Sequence, residues 1–166
     1  MKLLTTTIIA AGLCFGLVSN SNACSRVTYT SEDGSVVTGR TMDWPKPDEV
    51  QLSLFAKGTK RSGLGENPIE WESKYAGIAA TSHGFVNSGM NEAQLAVDVL
   101  YLYTSSYGQL KPKEKTITSS MLTQFLLDNF ATAQEVLDYF ENPKFRVVLD
   151  KEIANRLGAE LRLHYI

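Results

Sequence analysis

Hydrophobic and polar positions alternate at the front of the chain and turn helical further on. Residues 25–31 (Ser-Arg-Val-Thr-Tyr-Thr-Ser) alternate and are rich in β-formers, Asp33-Gly34 predicts a hairpin turn, and Ser35 to Thr41 returns as a second strand. Trp44-Pro45-Lys46-Pro47 ends that element, because neither proline can donate to a ladder. Val50 to Ala56 predicts a third strand, Lys57 to Pro68 a loop rich in Gly, Lys and Arg, and further strands follow near 69–73 and 75–81. Asn87 to Glu92, with the small residues Ser88 and Gly89, predicts a turn. Leu95 to Tyr103 is a long apolar strand in which only Asp98 is charged.

The period changes after Lys115. Thr118 to Asn129 sets Met121, Leu122, Phe125 and Leu126 on one helical face. Thr132-Ala133-Gln134-Glu135 is a capping box opening a helix that should bury Val136, Leu137 and Phe140, and Asn142-Pro143 stops it. Residues 150–157 predict another helix. Ala159 to Ile166 alternates again, with Ala159, Leu161, Leu163 and Tyr165 on one face, and reads as a strand in which the chain stops. Strands followed by helices predict an α+β fold with layered packing.

Residues 1–23 carry a different pattern. Met1-Lys2 is a short positive start, Leu3 to Val18 is apolar, and Ser19-Asn20-Ser21-Asn22-Ala23 is small and polar, which predicts a signal peptide cleaved before Cys24. The apolar run is too short for a spanning helix, so the expectation is an exported protein, periplasmic or extracellular, with no further tie to the membrane. Cleavage would discard Cys14 and leave Cys24 as the single cysteine and the first residue of the mature chain. An intrachain disulfide framework is then excluded.

Composition adds exclusions. The chain has 166 residues, enough for one domain, and 16 Lys+Arg against 18 Asp+Glu give no basic surface for nucleic acid. Two His and two Cys, without CxxC or HxxxH spacing, predict no metal site, and no glycine-rich phosphate loop suggests a cofactor.

A mature N-terminal cysteine combines two chemical groups. The thiolate is the reactive form of a thiol whose ordinary pKa is ~8.5, and an α-amine titrating at ~7.7–8.0 can take and return a proton near neutrality. Arg40 and Asp43 lie on the returning strand of the hairpin, where a cation would favour the thiolate and a carboxylate could orient the amine. Bland alternatives stand beside this. A cysteine after a leader can be a lipoprotein anchor, although Ser21-Asn22-Ala23 lacks the aliphatic residue a lipobox wants, or it can be incidental. Arg40 and Asp43 by themselves fit a solvated ion pair, Tyr101 a packing residue, and Asn91 a turn residue.

The order of these residues resembles a known family. Cys24-Ser25-Arg26, then Gly39-Arg40-Thr41-Met42-Asp43-Trp44, then Gly89-Met90-Asn91-Glu92 with Leu95-Ala96-Val97 and Leu100-Tyr101-Leu102, is similar to the choloylglycine hydrolase and penicillin V acylase family. The resemblance implies an N-terminal-nucleophile hydrolase with an αββα sandwich, of which residues 24–166 would be the N-terminal portion, with C-terminal strands missing. It implies Cys24 as nucleophile with its α-amine as base, Arg40 and Asp43 as supports of thiolate and amine, and the Tyr101 backbone N–H as half of an oxyanion hole. Tyrosine at that last position resembles the penicillin acylase side of the family. The remaining oxyanion Asn and a supporting Arg would lie past Ile166, so a remnant without turnover is the alternative. No cofactor is implied. The implied partner is a small acyl-amide, such as penicillin V, a conjugated bile salt or an N-acyl homoserine lactone, with a homo-oligomer left open.

Overall fold

The computed structural model describes residues 24–43, 49–101, 106–151 and 163–165. The leader expected over 1–23, the Trp44–Pro47 break and most of the helix expected over 150–157 lie outside the described residues.

The chain opens with a hairpin of β1 (Arg26–Thr30) and β2 (Val36–Arg40), paired so that Arg26 faces Arg40. Ser31 and Ser35 close its loop, with the Ser31 N–H donating to the Ser35 carbonyl at 2.9 Å and Gly34 at φ 83°. A left-handed glycine at that place lets a type I turn feed a right-twisted hairpin.

A five-stranded sheet forms the centre, in the order β11-β8-β7-β6-β3. Its members are β3 (Gln51–Phe55), β6 (Gly77–Ser82), β7 (Phe85–Asn91), β8 (Ala96–Tyr101) and β11 (Leu163–Tyr165), all antiparallel to their neighbours. The turn expected at Asn87–Glu92 is instead the body of β7. The reversal comes earlier, at His83 and Gly84, whose φ values of 51° and 84° suit a two-residue hairpin. Gly89 is small for a packing reason. A Cβ there would stand 2.6 Å from Leu127 Cδ1 and 2.9 Å from Ala79 Cβ.

The loop expected over 57–68 contains β4 (Lys60–Ser62), which pairs with β5 (Glu70–Glu72). β9 (Thr116–Thr118) runs parallel to β10 (Arg146–Val148), a pair that alternation in the sequence does not announce. Between them come α1 (Ser119–Asn129) and α2 (Ala133–Glu141).

α1 is more deeply placed than a one-faced amphipathic helix. Ser119, Ser120, Thr123, Gln124 and Asp128 are buried along with Leu122, Phe125, Leu126 and Leu127. One side rests on β7 and β8, and the other meets an aromatic cluster in which Phe125 touches Trp71, Phe130, Tyr139 and Phe145 with centroids 5.0–5.9 Å apart. α2 has the expected Thr132 cap, but the return bond of the expected capping box goes to Ala131, one residue before the N-cap. The Glu135 N–H donates to Thr132 Oγ1 at 3.2 Å, and the Glu135 carboxylate reaches back to the Ala131 N–H at 2.7 Å. Its inward face differs from expectation, since Leu137 is exposed and Tyr139 packs against the core with Val136 and Phe140.

Directly opposite residues in a sheet share a face, so the register sorts the central sheet into two sides. Ala79, Gly89 and Val97 form one cross-strand row turned toward α1. Ser88 with Asp98, and Leu54 with Ile78 and Met90, form rows on the opposite side. The β1–β2 hairpin lies on that second side, because Arg40 donates to Ser88 and Arg26 to Asp98. Helix, sheet and second sheet are therefore stacked in that order.

Candidate active site

Cys24 is half-buried and its thiol is free, two residues before β1 begins. The hairpin ladder continues past β1 and β2 toward it. Thr41 N–H donates to the Ser25 carbonyl at 2.9 Å, and the Ser25 N–H donates to Thr41 Oγ1 at 3.0 Å. Thr41 Oγ1 in turn donates to Asp43 Oδ2 at 3.1 Å. A relay of two hydrogen bonds thus joins the residue after the cysteine to the Asp43 carboxylate. The register sets Arg40 opposite Arg26, two residues from Cys24, and the Thr41 bond holds the Asp43 carboxylate at that same end of the hairpin.

Arg40 is fixed by the central sheet. Its Nη1 donates to the Asn87 carbonyl at 3.0 Å and to Ser88 Oγ at 3.2 Å, and its Nε donates to the Thr41 carbonyl at 3.2 Å. Among the described residues each bond goes to an uncharged acceptor, so none of them sets a carboxylate against the guanidinium at the cysteine end of the hairpin. A charged donor bonded this way holds its position well.

Beside it, Arg26 Nε donates to Asp98 Oδ2 at 2.7 Å, with the Asp98 side chain only 8% exposed. Arg26 and Arg40 are opposite each other on the hairpin, and Asp98 and Ser88 are opposite each other on the sheet. The four form a square that clamps the two layers together. Tyr101 ends β8, three residues beyond Asp98, and is paired with Leu163 of β11. It stands on the central sheet, in a different layer from Cys24, Arg40 and Asp43.

Thr41, Arg26, Ser88 and Asp98 are the site-end residues that motif reading passes over. Asp98 had a signal, as the single charge in an apolar strand, and Arg26 sits inside the Cys24-Ser25-Arg26 triplet. Thr41 had none beyond its place in the Gly39–Trp44 motif, and Ser88 none beyond its small size in the segment expected to turn.

Asn91, inside the second motif, ties the β7–β8 turn to the end of α1. Its amide Nδ2 donates to the carbonyls of Leu127 and Phe130 at 2.8 and 2.7 Å, while Oδ1 accepts from Ala93 and Leu95 N–H groups at 3.1 and 3.0 Å. It turns the chain from β7 into β8, as a turn residue should, and also satisfies carbonyls left over at the C-terminal end of α1. Among the described residues, no three His, Cys, Asp or Glu side chains converge as metal ligands.

A family model of linear amide C–N hydrolases, the choloylglycine hydrolase family, matches residues 24–166, beginning at Cys24. The chain belongs to that family. It is 33% identical over 154 residues to a penicillin V acylase of Pectobacterium atrosepticum, covering 86% of this chain and 41% of that one. Penicillin V acylase from Agrobacterium tumefaciens superposes with a TM-score of 0.72 at 35% identity, over 84% of this chain and 42% of that chain. A variant of conjugated bile acid hydrolase from Clostridium perfringens superposes with a TM-score of 0.67 at 20% identity, over 84% and 43% respectively. The α+β architecture is that of the choloylglycine hydrolase family, and this chain spans about two-fifths of the length of these relatives.

Proposed function

We propose that this choloylglycine hydrolase family member is an exported cysteine amidohydrolase whose nucleophile is Cys24, freed as the mature N-terminus by removal of residues 1–23. The observation that carries the reading is the coincidence of two boundaries. The family match begins at residue 24, and the hairpin register delivers Arg40 and Asp43 to that same residue's end of the molecule.

The reaction proceeds in two halves. The α-amine takes the thiol proton, the thiolate attacks the amide carbonyl carbon, and the negative oxygen is stabilised by the Tyr101 backbone N–H. The C–N bond breaks, the departing amine receives the proton held on the α-ammonium, and a thioester remains on Cys24. Water then adds to the thioester while its proton passes to the α-amine. The S–C bond breaks, the proton returns to sulfur, and the acid leaves. Asp43, coupled through Thr41 to the Ser25 N–H, orients the amine end, and the Arg40 charge favours the thiolate.

Penicillin V is the substrate class best supported. The relatives at 33% and 35% identity carry that activity in their names, whereas the bile acid hydrolases stand at 20–21%. Mass spectrometry of the exported protein should find Cys24 as an unmodified first residue, and the purified protein should release phenoxyacetate from penicillin V. Cys24→Ala should abolish that release. An uncleaved or lipidated N-terminus, or hydrolysis that survives in Cys24→Ala, would overturn the proposal.

A further inference from the structure

We infer that the Arg26–Asp98 ion pair is a positioning device that sets the nucleophile's strand against the strand carrying the oxyanion donor. The inference rests on reading Cys24 as the nucleophile and goes beyond it, since neither Arg26 nor Asp98 takes part in the chemistry itself.

The geometry is that of a clamp between layers. Among the described residues the hairpin is a separate two-stranded sheet with no ladder to the central one. Its attachment is through side chains, Arg40 to Asn87 and Ser88 of β7 and Arg26 to Asp98 of β8. Arg40 binds uncharged oxygens. Arg26 makes the charged contact, 2.7 Å long, to a carboxylate that is 8% exposed. A pair so buried adds little net stability over an apolar pair of similar shape, but it tolerates only one arrangement, and fixing register is the best-attested use of such pairs.

Position along the chain gives that register its meaning. Arg26 is two residues from Cys24, about 7 Å of extended backbone, and Asp98 is three residues from Tyr101, about 10 Å. Both are short, stiff levers on strands, so a displacement at the ion pair reaches the nucleophile and the oxyanion donor almost undiminished. Misplacement of reacting groups by about 1 Å costs on the order of 100-fold in rate.

Asp98→Asn and Arg26→Lys in the full chain test this, with penicillin V as probe. Asp98→Asn should lower kcat by about 10- to 100-fold while KM stays within about threefold, because the substrate-binding surfaces are untouched. Acylation of Cys24, followed as a mass increase on the protein, should slow in step with kcat. The exchanged pair, Arg26→Asp with Asp98→Arg, should recover at least about tenfold over the weaker single variant. A folded Asp98→Asn with wild-type kcat overturns the inference, as does a loss accounted for wholly by the unfolded fraction seen in circular dichroism. If Asp98→Asn does not fold, Arg26→Lys, which keeps the charge and moves the donor, decides by the same kcat and KM comparison. Cys24→Ala separates the two levels. Hydrolysis that persists in it, or a wild-type chain that neither acylates nor turns over, sinks the nucleophile reading and the inference together. An inert Cys24→Ala beside an unimpaired Asp98→Asn sinks the positioning role alone.

Discussion

The Asp33 carboxylate accepts from the Ser31 hydroxyl and from the Ser35 N–H at 2.9 Å, and these bonds, the Ser31 one foremost, hold its pKa down at about 2 from an ordinary 3.8. A folded-state value below the unfolded one means that the stabilisation is complete above the unfolded value and is lost as pH falls through the folded one. The β1–β2 turn should therefore loosen as pH drops from 3.8 toward about 2, seen as lower protection of the β1 amides relative to the intrinsic exchange rate at each pH. Asp33→Asn, which keeps an acceptor oxygen but does not titrate there, should show a flat response over that window. At this scale the placement of Cys24, Arg40 and Asp43 at one end of a hairpin was legible, because the turn of that hairpin is written in Asp33-Gly34. Arg26 and Asp98 were not, since their bond spans 72 positions and no local pattern encodes it.

α1 ends on a carboxylate that organises the elements around it. Asp128 Oδ2 accepts from Arg61 Nε at 2.8 Å and Trp71 Nε1 at 2.7 Å, and Oδ1 accepts from Ser73 Oγ at 2.9 Å and Gln124 Nε2 at 2.7 Å. Four donors on a side chain 1% exposed tie α1 to the β4–β5 hairpin. Asp128→Ala strands the Arg61 charge and the Trp71 and Gln124 donors, and should cost about 3–5 kcal/mol in urea unfolding. Pairing it with Arg61→Met should recover part of the loss, because Trp71 and Gln124 still lack the acceptor, whereas Ser73 keeps the Tyr75 carbonyl at 2.6 Å. Gly89→Ala tests the contact on the helix's other side. Leu127 Cδ1 can swing away, but Ala79 Cβ at 2.9 Å and the Ile78 carbonyl at 3.1 Å are stiff, so the expected cost is about 1–3 kcal/mol. That contact also explains why β7 reads as a turn. Small residues that usually mark reversals were there to admit a helix. The three-residue β9 and β10 were illegible for a related reason, since a parallel pair joining residues 116–118 to 146–148 depends on the α1–α2 crossover between them. α1 itself was legible as a helix but not as a buried one, because its polar side chains are satisfied by partners far away in sequence.

Over the whole molecule, apolar surface is distributed unevenly between the two sides of the central sheet. The side toward α1 is closed, with Ala79 and Val97 at 2% and 5% exposure. The other side carries the hairpin over Ser88 and Asp98, but Leu52, Leu54, Ile78 and Met90 remain 76%, 82%, 42% and 45% exposed. Leu54, Ile78 and Met90 are successive cross-strand neighbours, so they form a continuous strip and not scattered side chains. Contiguous apolar strips of this kind are uncommon on monomeric soluble proteins. Val50 to Ala56 reads as a strand, and what that reading could not announce was that the Leu52 and Leu54 face would lie bare. The 166-residue chain should bind a dye such as anilinonaphthalene sulfonate under native conditions and associate as its concentration rises. Leu54→Glu with Leu52→Thr should lower dye binding and association together, while the thermal midpoint, set by the α1 side, moves by only a few degrees. Dye binding that stays at the wild-type level in the double variant would place the apolar exposure elsewhere, with the outer hairpin face of Val27, Tyr29 and Val37 next to be substituted, because those residues are 64–68% exposed on the side turned away from the sheet.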